Sequence, residues 1–156
     1  MKDKITKLQK EIDKHIVKLD AIEDEEIKAE LAKYLCILLS SVIELAFKEL
    51  ILTFMENKTN PKIKKFVGNK IKPITNLTIP KLKAALRSFD EGWEKNFDNL
   101  LTNEDDKEKI KADINTIIAN RNQIAHGQSV PFTAKQLKEC HPSVNKIVEL
   151  LRKTIK

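Results

Sequence analysis

Residues 103–127, NEDDKEKIKADINTIIANRNQIAHG, carry the fold signal and break it once. Asn103, Glu104, Asp105 and Asp106 form the acidic start that suits the positive end of a helix dipole, and Gly127 is the residue type on which a helix readily stops. Between them Ile110, Ile114 and Ile117 recur at three- and four-residue steps, one face of an α-helix. The same spacing brings the next inward positions to Arg121 and Ile124, so an arginine stands where a bundle expects an aliphatic side chain. Burying a guanidinium is costly unless it is paired or its end reaches a wet cleft.

Working outward, the helical period returns along most of the chain. Ile5, Leu8, Ile12, Ile16 and Leu19 predict a first helix over 3–22. The acidic cluster Glu23 to Glu26 introduces a long second pattern through Ile27, Leu31, Tyr34, Leu35, Leu38, Val42, Leu45 and Leu52, apolar nearly all round in its middle and expected to end at Asn57 to Asn60. Asn60-Pro61 starts a short segment containing Gly68, and 71–79 reads as a loop with Pro73 and Asn76 as breakers. Thr78 to Pro80 restarts a helix through Phe89, and a further piece runs from Glu91 to Leu101. Thr133 and Gln136 make a capping box, and a final helix is placed near Pro142, burying Val144, Ile147, Val148, Leu151 and Ile155. The expected architecture is all-α, an antiparallel bundle of about five to seven helices. Residues 1–156 read as a single domain, with 1–22 as an N-terminal helix and 26–156 as the core.

Composition agrees. A chain of 156 residues with 41% hydrophobic content can bury one core, and 3 glycines and 5 prolines favour long regular elements over turn-rich β structure. Glu44, Lys48 and Glu49 interrupt the apolar run from Tyr34 to Phe54, which argues for a buried helix and against a membrane span. The N-terminus has no apolar leader, so the expected location is cytoplasmic. Cys36 and Cys140 have neither metal-ligand nor disulfide-framework spacing and read as reduced, buried residues. The net charge of +6 permits a polyanionic partner without demanding one. Only Arg87, Arg121 and Arg152 among the 29 basic residues are arginine. In a lysine-dominated chain each arginine is a candidate for a task that needs a planar donor fork.

Asn122 and His126, four residues apart, share a helix face beside that of Arg121. A cation, an amide and an imidazole within a turn and a half suit a phosphate. The matching chemistry is attack of a ribose 2′-hydroxyl on the neighbouring phosphorus, which needs a base, an acid and a cation for the charge on the non-bridging oxygens, but no metal or other cofactor. Histidine suits either proton role, Arg121 the charge role, and Asn122 an orienting one. Acid and base are two groups and the segment has one histidine, so two copies across a twofold axis complete the set.

The segment R-N-x-x-x-H followed by glycine, on the penultimate long helix of a small helical chain, resembles the R-x(4–6)-H motif of HEPN-domain ribonucleases. The layout is most similar to the RiboL-PSP-type HEPN proteins of prokaryotic defence and toxin systems, whose apolar early helix carries a glutamate, as Glu44 stands here. The resemblance covers roughly 26–156. It implies a homodimer, a composite site, metal-independent endoribonuclease activity on tRNA or mRNA, and Arg121, Asn122 and His126 as catalytic residues. An antitoxin protein that silences the enzyme is a further partner such systems imply. Glu44 with Lys48 resembles a secondary E-x3-K element, here as supporting residues, although Glu49 stands where an arginine usually follows.

Plainer readings stand beside these. Arg121 could pair with Glu44 inside the bundle while His126 decorates a helix end. His15 reads as solvated, and His141 as a capping or exposed residue at a helix start. Phe89, Trp93 and Phe97 read as core, and Lys62, Lys64, Lys65, Lys70 and Lys72 as a solvated face that could also guide an RNA backbone. The alternative function is a non-catalytic HEPN module that binds RNA or nucleotide, or dimerises with another protein.

Overall fold

Short polar side chains fix where the helices begin. Asp3 Oδ1 accepts from the Thr6 N–H at 2.7 Å, Asp24 from Glu26 and Ile27, Asn60 from Lys62, Thr78 from Lys81, and Asp90 from Gly92 and Trp93. Each such cap satisfies an N–H that has no partner within its helix and is worth about 1 kcal/mol. A computed structural model describes residues 3–156, in which these starts open α1 (Lys4–Asp20), α2 (Glu25–Met55), α3 (Pro61–Ile71), α4 (Ile79–Phe89), α5 (Glu91–Thr102), α6 (Lys107–Ala125) and α7 (Ala134–Thr154). The described residues are all-α, as expected. Pro61 and Pro80 sit in first turns, where a missing N–H costs nothing.

The helix that is apolar all round, α2, occupies the centre, touching α1, α3, α6 and α7. Ion pairs at the ends give the directions. Lys4 Nζ reaches Glu49 at 3.0 Å, so α1 runs antiparallel to α2, and Arg152 to Asp3 with Lys138 to Asp20 sets α1 antiparallel to α7. Residues from Ile5 to Ile155 form one connected core, in which Leu19, Leu35, Cys36, Phe47, Phe97, Ile114 and Val144 are fully buried. No described helix is long and apolar enough to cross a membrane; the run from Tyr34 to Phe54 lies in central α2.

The last helix differs from the expectation. It begins at Ala134, on the Thr133–Gln136 capping box, and passes through Pro142 without ending. Pro142 and Lys138, whose carbonyl the proline deprives of an N–H partner, are both exposed residues, while Leu137, Cys140, Val144 and Ile147 keep one buried stripe across the proline. His141 is therefore interior to α7, with Nε2 3.0 Å from Asp13 Oδ1.

Candidate functional site

The C-terminal turn of α6 is fixed by backbone hydrogen bonds. The Gln128 N–H donates to the Gln123 carbonyl at 2.9 Å and the Gly127 N–H to Ile124 at 3.0 Å, the paired bonds of a Schellman motif. Gly127 takes the left-handed conformation this requires, at φ 70°. His126 is the C-cap, its own N–H donating to the Asn122 carbonyl at 3.1 Å, and its side chain is exposed. The glycine stop read from the sequence thus sets the position of the imidazole.

One turn earlier, Arg121 and Asn122 are half-buried, and Arg121 Nη1 lies 3.4 Å from Asn122 Oδ1. The other two arginines are committed: Arg87 to Glu94 at 2.5 Å and Arg152 to Asp3 at 3.0 Å. Arg121 has no carboxylate within ion-pair distance among the described residues. The stripe of Ile110, Ile114 and Ile117 is buried and Ile124 still packs against the core, but Arg121 between them is only half-buried, so its side chain escapes the full desolvation cost.

Glu44 and Lys48 are elsewhere. Cys36 Sγ lies 3.5 Å from the Ile117 carbonyl, which puts those two residues level on α2 and α6. The chain leaving α6 folds over the first turns of α2, so the two helices are antiparallel. Glu44 lies eight residues from Cys36 in one direction and Arg121 four from Ile117 in the other, which separates them by roughly 18 Å along the bundle. The Glu44 carboxylate accepts from the Asn76 N–H at 2.9 Å, and Lys48 Nζ donates to the Lys72 carbonyl at 2.8 Å. Within one chain the E-x3-K pair grips the loop between α3 and α4, and Glu44 makes no ion pair with Arg121.

The family model RiboL-PSP-HEPN matches residues 3–156. The chain is a RiboL-PSP-HEPN domain. The family assignment therefore extends through α1 as well, beyond the stretch from residue 26 on which the resemblance was read. HEPN domains are often ribonucleases and often act as dimers on RNA, which gives this member an RNA-related frame. No curated protein and no solved structure matches the chain.

The remaining candidates take ordinary places in this HEPN domain. His15 is half-buried with its ring edge against Tyr34, Phe97 is core, Trp93 is half-buried against Phe54, and Phe89 is partly exposed. The lysines of α3 and its following loop are largely exposed, with Lys64 paired to Glu56. Burial pushes the thiols of Cys36 and Cys140 up to about 12, so both are neutral near pH 7. Lys28, Lys33 and Lys135, none of them singled out by sequence patterning, line a cavity that the α6–α7 loop closes over α2. Their spacing carries no signal, because the cavity exists only once residues 130–135 fold against the start of α2.

Proposed function

We propose that this HEPN domain is a homodimeric, metal-independent endoribonuclease whose site is assembled from the Arg121–His126 segments of two copies. The observation that carries the reading is a guanidinium with no ion-pair partner among the described residues, beside an amide and about one turn from an exposed imidazole, all at one helix end. Arg121 offers parallel N–H donors to the non-bridging oxygens of a phosphate, and Asn122 orients the group. One His126 takes the proton from the 2′-hydroxyl as the O2′–P bond forms. The His126 of the second copy gives a proton to the departing O5′ as the P–O5′ bond breaks, leaving a 2′,3′-cyclic phosphate and a free 5′-hydroxyl. The biological setting we infer is a toxin or defence effector, silenced by an antitoxin protein and acting on tRNA or mRNA.

Support for dimerisation comes from α2. Ile27 is 57% exposed and Tyr34 47% exposed, with Leu31 and Leu38 half-buried on the same face, an apolar stripe at the end of the bundle that also carries Arg121. Covering such a stripe with its own copy brings two α6 ends toward one axis.

The test is incubation of wild type, Arg121→Ala and His126→Ala with labelled total RNA in EDTA, with folding checked by circular dichroism. Cyclic-phosphate ends from wild type alone are expected, together with a dimer by light scattering that Tyr34→Glu disrupts along with activity. A wild-type dimer that leaves every RNA class intact would overturn the enzyme and leave a binding or partner module.

A further inference from the structure

We propose that the cavity between the first turns of α2 and residues 130–135 holds the phosphate of the RNA nucleotide next to the one cleaved. This rests on the RNA-cleaving reading of Arg121 and His126 and names how that site grips its strand.

Position comes first. From the level pair Cys36 and Ile117, three residues back along α2 reach Lys33 and three on along α6 reach Asn120; a further four reach Ala29 and Ile124. Lys33 and Ala29 both line the cavity, which therefore lies level with the turn that carries Arg121, Asn122 and His126. The cavity wall, Val130 to Lys135, is the chain that continues from His126 through an exposed Gly127-Gln128-Ser129 link. The cavity thus lies at the same level of the bundle as Arg121 and on the chain that continues from His126, which places it on the path of a strand whose scissile phosphate sits at Arg121.

Chemistry comes second. The cavity holds about 450 Å³, in the range that admits a nucleotide-sized group. Its cations are Lys28, Lys33 and Lys135 against one carboxylate, Glu25. Lys33 pairs with Glu30 at 3.1 Å, whereas Lys28 and Lys135 have no carboxylate partner among the described residues. Ala29, Val130, Pro131 and Phe132 supply an apolar floor suited to a ribose or base face.

One larger cavity, about 570 Å³ between α4, α5 and α6, fails the same comparison. Its Lys83 is bound to Asp98 at 2.8 Å and its Arg87 to Glu94 through two hydrogen bonds, of 2.5 and 2.7 Å. Those cations are already neutralised, and the Glu94 carboxyl is held below its ordinary range by Arg87. A phosphate entering there must break ion pairs, while one entering beside Lys28 and Lys135 breaks none.

The experiment measures binding of a fluorescein-labelled, uncleavable 2′-O-methyl RNA octamer to the full-length protein across a salt series. A single-strand phosphate contact contributes about 0.7 to the slope of log affinity against log salt, so Lys28→Ala/Lys135→Ala, which strips the cations from that one phosphate, is expected to lower the slope by about 0.7 and to weaken binding several-fold at low salt. Lys83→Ala/Lys111→Ala, at two lysines that line the cavity between α4, α5 and α6, is expected to leave the slope unchanged. An unchanged slope and affinity in the Lys28/Lys135 variant would overturn the proposal, as would an equal loss in both variants. Cleavage of ordinary RNA in EDTA separates the two claims. Wild-type cleavage with the Lys28/Lys135 variant unaffected sinks the cavity and spares the enzyme, whereas slope-dependent binding without cleavage spares the cavity as an RNA contact and sinks the enzyme.

Discussion

The Gln128 N–H lies 2.9 Å from the Gln123 carbonyl, and that bond closes the loop of backbone that holds His126 at the end of α6. The geometry needs Gly127 at φ 70°, a conformation that costs an L-residue about 1–2 kcal/mol. A Cβ at Gly127 meets nothing within 4 Å, so the cost is backbone alone. Gly127→Ala is expected to lower stability by about 1 kcal/mol, roughly 2–4 °C in Tm, while Gly127→Asn loses less. Calorimetry checks the stability. Cleavage should fall more in the alanine variant than in the asparagine one, because the C-cap position of His126 loosens with the motif.

The two thiols make stability fall on the alkaline side. Burial holds Cys36 and Cys140 up to about 12 in the fold, against an ordinary value of 9. Between these values the unfolded chain has lost its thiol protons and the native one has kept them, so unfolding releases protons and stability decreases as pH rises. Each thiol contributes a slope of up to about 1.4 kcal/mol per pH unit there. Urea titrations from pH 8 to 11 should show a shallower decline in Cys36→Ala/Cys140→Ala than in wild type. Parallel curves would mean the thiols do not titrate differently in the two states.

Much of this was legible in the residues, and the rest failed for identifiable reasons. The acidic start of α2, the starts at Asn60, Thr78 and Thr133, the stripes of α1 and α6, and the stop at Gly127 are local, so sequence alone located them. Pro142 misplaced the start of α7, because whether a proline ends a helix depends on which way the orphaned carbonyl faces, a tertiary matter. Arg121, Asn122 and His126 could be grouped since i, i+1 and i+5 on one helix have fixed geometry. Glu44 could not be placed against Arg121, because its distance from α6 depends on the registry of two helices, which only the Cys36 to Ile117 contact reveals.

That separation gives Glu44 and Arg121 different mutational signatures. Glu44 holds the Asn76 N–H, in a loop where Asn76 has φ 55° and its own Oδ1 is buried without a partner. Glu44→Ala removes a hydrogen bond to a carboxylate, worth about 1.5–3 kcal/mol. Hydrogen exchange at Asn76 should accelerate, the global stability should drop by about that amount, and RNA cleavage measured well below the melting range should stay within twofold of wild type. A large loss of cleavage in a folded Glu44→Ala dimer would instead give that carboxylate a part in the site.

Arg121 should show the reverse pattern. Among the described residues its guanidinium pairs with no carboxylate and hydrogen-bonds to Asn122 Oδ1 at 3.4 Å, so Arg121→Ala should change stability by less than about 0.5 kcal/mol. Removing a preorganised donor to a developing oxyanion costs on the order of 10²–10³ in rate. Arg121→Lys keeps the charge and loses the two-pronged fork, so it should remain closer to alanine than to wild type in cleavage while matching wild type in urea midpoint. The comparison to make is single-turnover cleavage in EDTA beside urea denaturation of the same preparations. Full activity of the lysine variant would mean that Arg121 supplies only charge; destabilisation by the alanine variant would return Arg121 to a structural role in α6.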